Sequence, residues 1–151
     1  MNNSPALIAF FSAELEKTFS SLKNGGYTIF STETSDFTDP GYIFHRQMYQ
    51  NKDIDRTIYF DLTLQPDDIT MDVFIWSEDD RVSSLSVMDY IEYEKTGQQL
   101  PFSCCFGLAE EYFQDDLKQH FEQIEGLFNN ELQDVLAGKE MIHIPMKDPR
   151  K

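Results

Sequence analysis

Basic residues are scarce in this chain. Twelve Lys and Arg stand against twenty-seven Asp and Glu, a formal net charge of −15. A domain this negative repels phosphate backbones and anionic head groups, which argues against nucleic-acid and membrane-surface binding and leaves a basic protein as the natural partner. Cysteine is scarcer still. The two present, Cys104 and Cys105, are adjacent, a spacing that rarely closes a disulfide, so both are expected to be reduced and buried, as in a cytosolic protein. His45, His120 and His143 lie far apart, with no His-Glu-x-x-His or Cys-x-x-Cys spacing, and no zinc site is expected. Pairing one of them with Cys104 or Cys105 gives only a formal thiol dyad. Gly25-Gly26 follows a helical stretch instead of opening one, so it is a cap and not a phosphate loop. Gly-x-Ser-x-Gly, Walker and dinucleotide fingerprints are missing. Asp53-Ile54-Asp55 and Glu78-Asp79-Asp80 lack the distal Glu and central Gly of a calcium loop, and turn chemistry accounts for Asp53 and Asp55. The expectation is no enzyme, no cofactor and no metal. The opening Met1-Asn2-Asn3-Ser4-Pro5 has no basic leader region and Ala6 to Phe11 is too short for a membrane span, so a cytoplasmic location is expected.

Rings and acids are what the chain has in quantity. Aromatic residues make up 14%, thirteen of them Phe, within a hydrophobic fraction of 40%. With 151 residues, one domain (1–151) is expected, and a chain of this size buries about 70% of its unfolded surface. The acid is focused: residues 53–94 hold twelve Asp or Glu against Arg56 and Arg81, a net −10, while residues 1–52 carry −1 and residues 95–151 carry −4.

Ser4-Pro5 is a helix start, and Leu7, Ile8, Phe11, Leu15, Phe19 and Leu22 recur at spacings of three and four, predicting a helix over 5–23 ended by Gly25-Gly26. The period then changes to two. Residues 27–31 read as a short strand, 32–40 as a polar loop, and 41–50 as a second strand. Arg56 to Gln65 alternates cleanly, with Ile58, Phe60, Leu62 and Leu64 on one face and Thr57, Tyr59, Asp61 and Thr63 on the other. Ile69 to Ser77 returns with Met71, Val73 and Ile75 against Asp72, Phe74 and Trp76. Residues 81–85 are ambiguous. Ser86 with Asp89 three residues on resembles a capping box and Gly97 a stop, predicting a helix over 87–95. Residues 108–113 suit a helical turn. Leu117, Phe121, Ile124, Phe128, Leu132 and Val135 predict a long helix over 116–137 with Gly138 as its stop. Residues 141–146 suit a tail strand, and 147–151 a frayed basic tail.

These elements predict an α+β fold: an antiparallel meander of about four to five strands with an N-terminal helix and C-terminal helices packed on it. Its second face would show Tyr59, Asp61, Thr63, Asp72, Phe74 and Trp76. That face is a recognition surface if it stays open, and part of the core if a C-terminal helix covers Phe74 and Trp76.

The opening helix ending Leu22-Lys23-Asn24-Gly25-Gly26-Tyr27, the strands Tyr42-Ile43-Phe44-His45-Arg46 and Thr57-Ile58-Tyr59-Phe60-Asp61-Leu62-Thr63-Leu64-Gln65, the helical C-terminus and the acidity together resemble bacterial immunity proteins of polymorphic toxin and contact-dependent growth inhibition systems. The resemblance implies a small, cytosolic, non-enzymatic protein, monomeric or weakly dimeric, that binds one cognate toxin domain, often a basic nuclease. It implies Asp61, Asp72, Glu78, Asp79 and Asp80 as charge contacts, with Tyr59 and Trp76 as anchors. Small acidic secretion chaperones, which dimerise and hold an effector segment, share the size, charge and element order. Their mark would be a second apolar stripe on a central or C-terminal helix; Leu127 and Leu136 widen the one seen. An acidic mimic of DNA is a third class, requiring carboxylates at phosphate-like spacing.

Overall fold

The computed structural model describes residues 4–37, 41–78, 84–101 and 103–145. Helix α1 (Ser4–Thr18) runs into a 3-10 turn (Ser20–Gly25), followed by strands β1 (Thr28–Phe37), β2 (Tyr42–Asn51), β3 (Arg56–Gln65) and β4 (Asp68–Trp76). Then come β5 (Ser84–Ser86), helix α2 (Val87–Thr96), β6 (Phe106–Leu108), a 3-10 turn (Glu110–Tyr112), helix α3 (Phe113–Asn129) and the short helix α4 (Gln133–Leu136). The fold is α+β. One antiparallel sheet has the order β1-β2-β3-β4-β5, and β6 also pairs with β4.

The alternation read in β3 and β4 sets the layering. Ile58, Phe60, Leu62 and Leu64 with Met71, Val73 and Ile75 are at most 1% exposed and meet Phe11 and Leu15 of α1 and Leu117, Phe121, Ile124 and Phe128 of α3 in one core. Phe19 sits at its centre, with ring centroids 4.9 Å from Phe60, 5.4 Å from Phe121 and 5.5 Å from Phe128. Burying such rings stabilises the fold by about 1.5–3 kcal/mol each before entropy is counted.

β5 and β6 extend the same edge of β4: β5 pairs with residues 74–76 and β6 with residues 69–71, both antiparallel. They are two halves of one edge strand, interrupted by residues 87–105. Ser86 caps the excursion's helix by accepting from the Asp89 N–H at 3.3 Å, and Gly97 ends it at φ 67°.

Several expectations need correction. The first helix stops at Thr18 and a 3-10 turn continues to Gly25, where Gly26 at φ 94° donates its N–H to the Lys23 carbonyl at 3.1 Å and Tyr27 donates to that of Leu22 at 3.0 Å. The expected break between a strand at 27–31 and a loop at 32–40 does not exist. Thr28–Phe37 is a single ten-residue strand, irregular only between Ile29 and Ser31. The long C-terminal helix is broken at Asn130, where the Leu132 N–H turns back to the Leu127 carbonyl at 2.8 Å. Leu132 and Val135 still reach the core because α4 restarts in phase. β6 was unforeseen, and residues 141–145 form no strand. Neither thiol is buried: Cys104 is half-buried and Cys105 exposed. Met146, the basic tail 147–151, and Asp79 and Asp80 lie outside the described residues.

The C-terminal segment is tied down by polar groups under the sheet end. Arg56, 7% exposed, donates Nε to the Val135 carbonyl, Nη2 to Glu140 and Nη1 to Asp55, each at 2.7 Å. Tyr27 Oη donates to the Leu136 carbonyl at 2.6 Å. The Val135 carbonyl also accepts the Gly138 N–H at 3.1 Å, and Tyr27 takes up the Leu136 carbonyl at the end of α4. Burial pushes the Tyr27 hydroxyl well above its usual range, so it stays a donor.

Candidate partner-binding face

Both α1 and α3 pack on the same face of the sheet, so among the described residues neither of these helices crosses the other face. Antiparallel register arranges that outer face as a grid. One row reads Glu33, Arg46, Asp61, Asp72 across β1 to β4. The next reads Ser31, Met48, Tyr59, Phe74, Ser86, and a third ends Gln50, Thr57, Trp76, Ser84.

Asp61 and Asp72 are direct cross-strand neighbours, an arrangement that repels. Arg46 relieves it. Its Nε and Nη2 donate to the two Asp61 carboxylate oxygens at 2.8 and 2.9 Å. The guanidinium also lies 4.8 Å from the centre of the Tyr59 ring and 5.2 Å from that of Phe44. Hydrogen bonding to Asp61 is the main reason the Arg46 pKa is raised. Asp72 takes the other way out. Burial first, then the charges of Asp61 and Asp89, push its pKa up to about 6.

Asp89, 6% exposed, uses its carboxylate to accept the Cys104 N–H at 2.6 Å. It thereby anchors the returning limb of the 87–105 excursion beside Asp72. Both thiols are raised, Cys104 by burial and then Asp89, Cys105 by burial and then Asp72, so neither is activated as a nucleophile. The dyad reading fares no better geometrically. His120 lies against Phe106 with ring centroids 4.8 Å apart, on the core side. Cys105 instead feels Asp72, Asp68 and Thr70 of the outer face. His45 is 2% exposed, held on the inner face by Thr34 at 2.8 Å and Ser12 at 3.3 Å. Burial lowers its pKa. Among the described residues no group of His, Cys, Asp and Glu could hold a metal ion, and no helix is long and apolar enough to cross a membrane.

Tyr59, Phe74, Trp76, Arg46 and Ser84 line a hollow of about 330 Å³ on this face. The expected anchors Tyr59 and Trp76 are therefore together, each half-buried. Of the expected charge contacts among the described residues, Asp61 and Asp72 are cross-strand neighbours and Glu78 lies beyond the end of β4. Asp61 is 4% exposed and committed to Arg46, because a carboxylate this enclosed needs its own cation. Asp72 is half-buried and shifted toward its neutral form. Glu78 is exposed at the end of β4. Its backbone N–H donates to Asp55 at 2.9 Å, and Ser77 Oγ donates to the same carboxylate. The acid of residues 53–94 thus forms no single patch among the described residues. Asp67 and Asp68 lie at one end of the sheet, Asp53, Asp55 and Glu78 at the other, and in the middle Arg46 offsets Asp61 alone of the group Asp61, Asp72 and Asp89. Arg46 was the residue missed. Its signal was its parity with Phe44 and Met48 on the strand next to β3.

No family model, no curated protein and no solved structure matches the chain. What defines its class is the architecture itself: an acidic α+β domain with one sheet face packed by helices and an aromatic hollow on the other.

Proposed function

We propose that this protein is a non-enzymatic binding protein that neutralises a basic toxin domain by direct contact, in the manner of the immunity proteins it resembles. The single observation that carries this reading is the hollow walled by Tyr59, Phe74 and Trp76 on the sheet face away from α1 and α3. Half-buried rings around a concavity are the composition of interface anchor sites, where aromatics supply area. The net charge of −15 favours a cationic partner and speeds encounter. Within the hollow itself Arg46 and Asp61 cancel, so the partner group seated there is apolar or aromatic. Charge selection falls to Glu78 and to Asp79 and Asp80 beyond it.

The arrangement of α3 favours this over the chaperone reading. Its core face holds Phe113, Leu117, Phe121, Ile124 and Phe128, and Leu127 and Leu136 pack on that same core. Gln114, Asp115, Lys118, Gln119, Glu122 and Gln123 form its exposed side, so the described residues of α3 carry no second apolar stripe.

The test is complex formation with a basic toxin domain encoded beside this chain. A 1:1 complex is expected, weakening with salt, with Trp76→Ala and Tyr59→Ala each reducing affinity by about 1 to 3 kcal/mol. Undiminished inhibition by the Tyr59→Ala/Trp76→Ala double variant, or by a charge reversal of Glu78, Asp79 and Asp80 to Lys, would sink the reading.

A further inference from the structure

The two edges of the sheet are treated differently. The β4 edge is covered by the two short strands β5 and β6 and by the excursion between them. The opposite edge is β1, ten residues long and, among the described residues, paired only with β2. From Thr28 to Asp36 every residue is exposed except the half-buried Ser31. Two of the three large hydrophobic residues exposed among those described are on it, Ile29 at 42% and Phe30 at 60%. Solvent therefore reaches β1 on both faces and along its edge.

An uncovered edge presents alternate N–H and C=O groups ready to pair with another strand, and proteins guard such edges with shortness, Pro, Lys or bulges. β1 has neither Pro nor Lys, and its one irregularity lies between Ile29 and Ser31. From Ser31 to Phe37 the pairing with β2 is uninterrupted, long enough for an ordinary strand pairing on the free side. The charges on it, Glu33 and Asp36, are both negative. A second copy would bring the same two acids on a body of charge −15, setting like against like. A cationic strand meets the opposite condition.

We propose that the free edge of β1 docks an extended segment of a protein partner that carries Lys or Arg in alternation with apolar residues, which adds to the sheet as a further strand. Main-chain hydrogen bonds supply affinity, Glu33 on the outer face beside Arg46 draws the cationic side chains, Ile29 on the opposite face beside Tyr49 receives the apolar ones, and Asp36 adds to the negative field. The same two acids keep copies of this chain apart, so one feature both admits and excludes. The inference rests on the basic-partner reading above for the sign of the occupant.

The test uses the full chain and two ten-residue peptides of equal charge, one alternating Val and Lys, the other the same sequence N-methylated at every residue. The Val-Lys peptide should slow amide exchange within Ser31 to Asp36 and bind about tenfold tighter than the N-methylated peptide, which has no backbone N–H to give to a ladder. Glu33→Lys with Asp36→Lys should abolish that preference and transfer it to a Val-Glu peptide. Equal binding of both cationic peptides with no protection of β1 overturns the proposal. So does a homodimer whose β1 amides are protected without peptide, since a second copy is then the occupant. A neutralised toxin domain bound while β1 amides exchange freely overturns the docking edge and leaves the functional reading standing. Strand addition by the Val-Lys peptide in a protein that inhibits no toxin does the reverse.

Discussion

Arg46 and Asp61 face each other across β2 and β3 and close a two-point ion pair at 2.8 and 2.9 Å. The side chains are 34% and 5% exposed, so the aspartate is the partner that cannot turn to water. Arg46→Ala is expected to cost about 2 kcal/mol, reduced from the fully buried case because the guanidinium is partly solvated. Asp61→Asn in the same background should recover part of the loss. Urea denaturation of the two single variants and the double variant measures it, and additive losses would show the pair uncoupled. Arg46→Lys should not substitute, since an ammonium offers no fork.

Two groups push the pH profile in opposite directions. Asp72, raised from 3.8 to about 6, binds its proton in the folded state before the unfolded chain does, so it favours stability as pH falls from about 6 toward 4. His45 is lowered from 6.5, so the unfolded chain takes that proton first and stability is lost as pH falls below 6.5. Asp72→Asn should stabilise the protein at pH 7.5, by about 1 kcal/mol once solvent screening is allowed for, and leave a profile that only declines toward acid. Thermal melts from pH 4 to 8 decide the matter; an unchanged profile in Asp72→Asn would refute the assignment.

Gly26 sits at φ 94°, and a Cβ there would come within 2.9 Å of the Asn51 amide nitrogen, which donates to the Gly25 carbonyl at 2.8 Å. Gly26→Ala therefore meets both backbone strain and a neighbour already engaged. A loss of about 1 to 3 kcal/mol is expected. Asn51→Ala removes the steric half and should make the second substitution cheaper, which a double-mutant cycle reads directly.

Arg56 binds three carbonyls, two of them, Val135 and Glu140, in the C-terminal segment. Arg56→Met keeps the stem and removes the donors. Faster amide exchange is expected in residues 133–140 before any global change, with a loss of about 1 to 3 kcal/mol, because the hydrogen bonds of a charged, buried guanidinium are lost. Uniform loss across the sheet instead would place the role of Arg56 elsewhere.

How much was legible in the sequence depended on whether burial was one-sided. β3 and β4 were readable nearly to the residue, since one face meets helices and the other does not, and period two records that asymmetry. β1 was misread for the converse reason. Thr32, Glu33, Thr34, Ser35 and Asp36 are exposed on both faces, so no periodicity marks them as strand and only pairing with β2 does. The three-residue strands β5 and β6 are too short for any period. The hollow was half legible: Tyr59 and Trp76 followed from parity within their strands. Arg46 needed register, which the Asn51↔Arg56 pairing sets, and without it Asp61 looked like a free charge.

The inner layer of this fold is made from the two ends of the chain. α1 comes first, β1 to β6 follow, and α3 arrives only at Phe113–Asn129. During synthesis the meander is therefore finished before the helix that shares its apolar face with α1 has emerged. Ile58, Phe60, Met71 and Val73 remain only partly covered for that interval, a window in which a growing chain is exposed to aggregation. Closure of that apolar face therefore waits on the synthesis of α3.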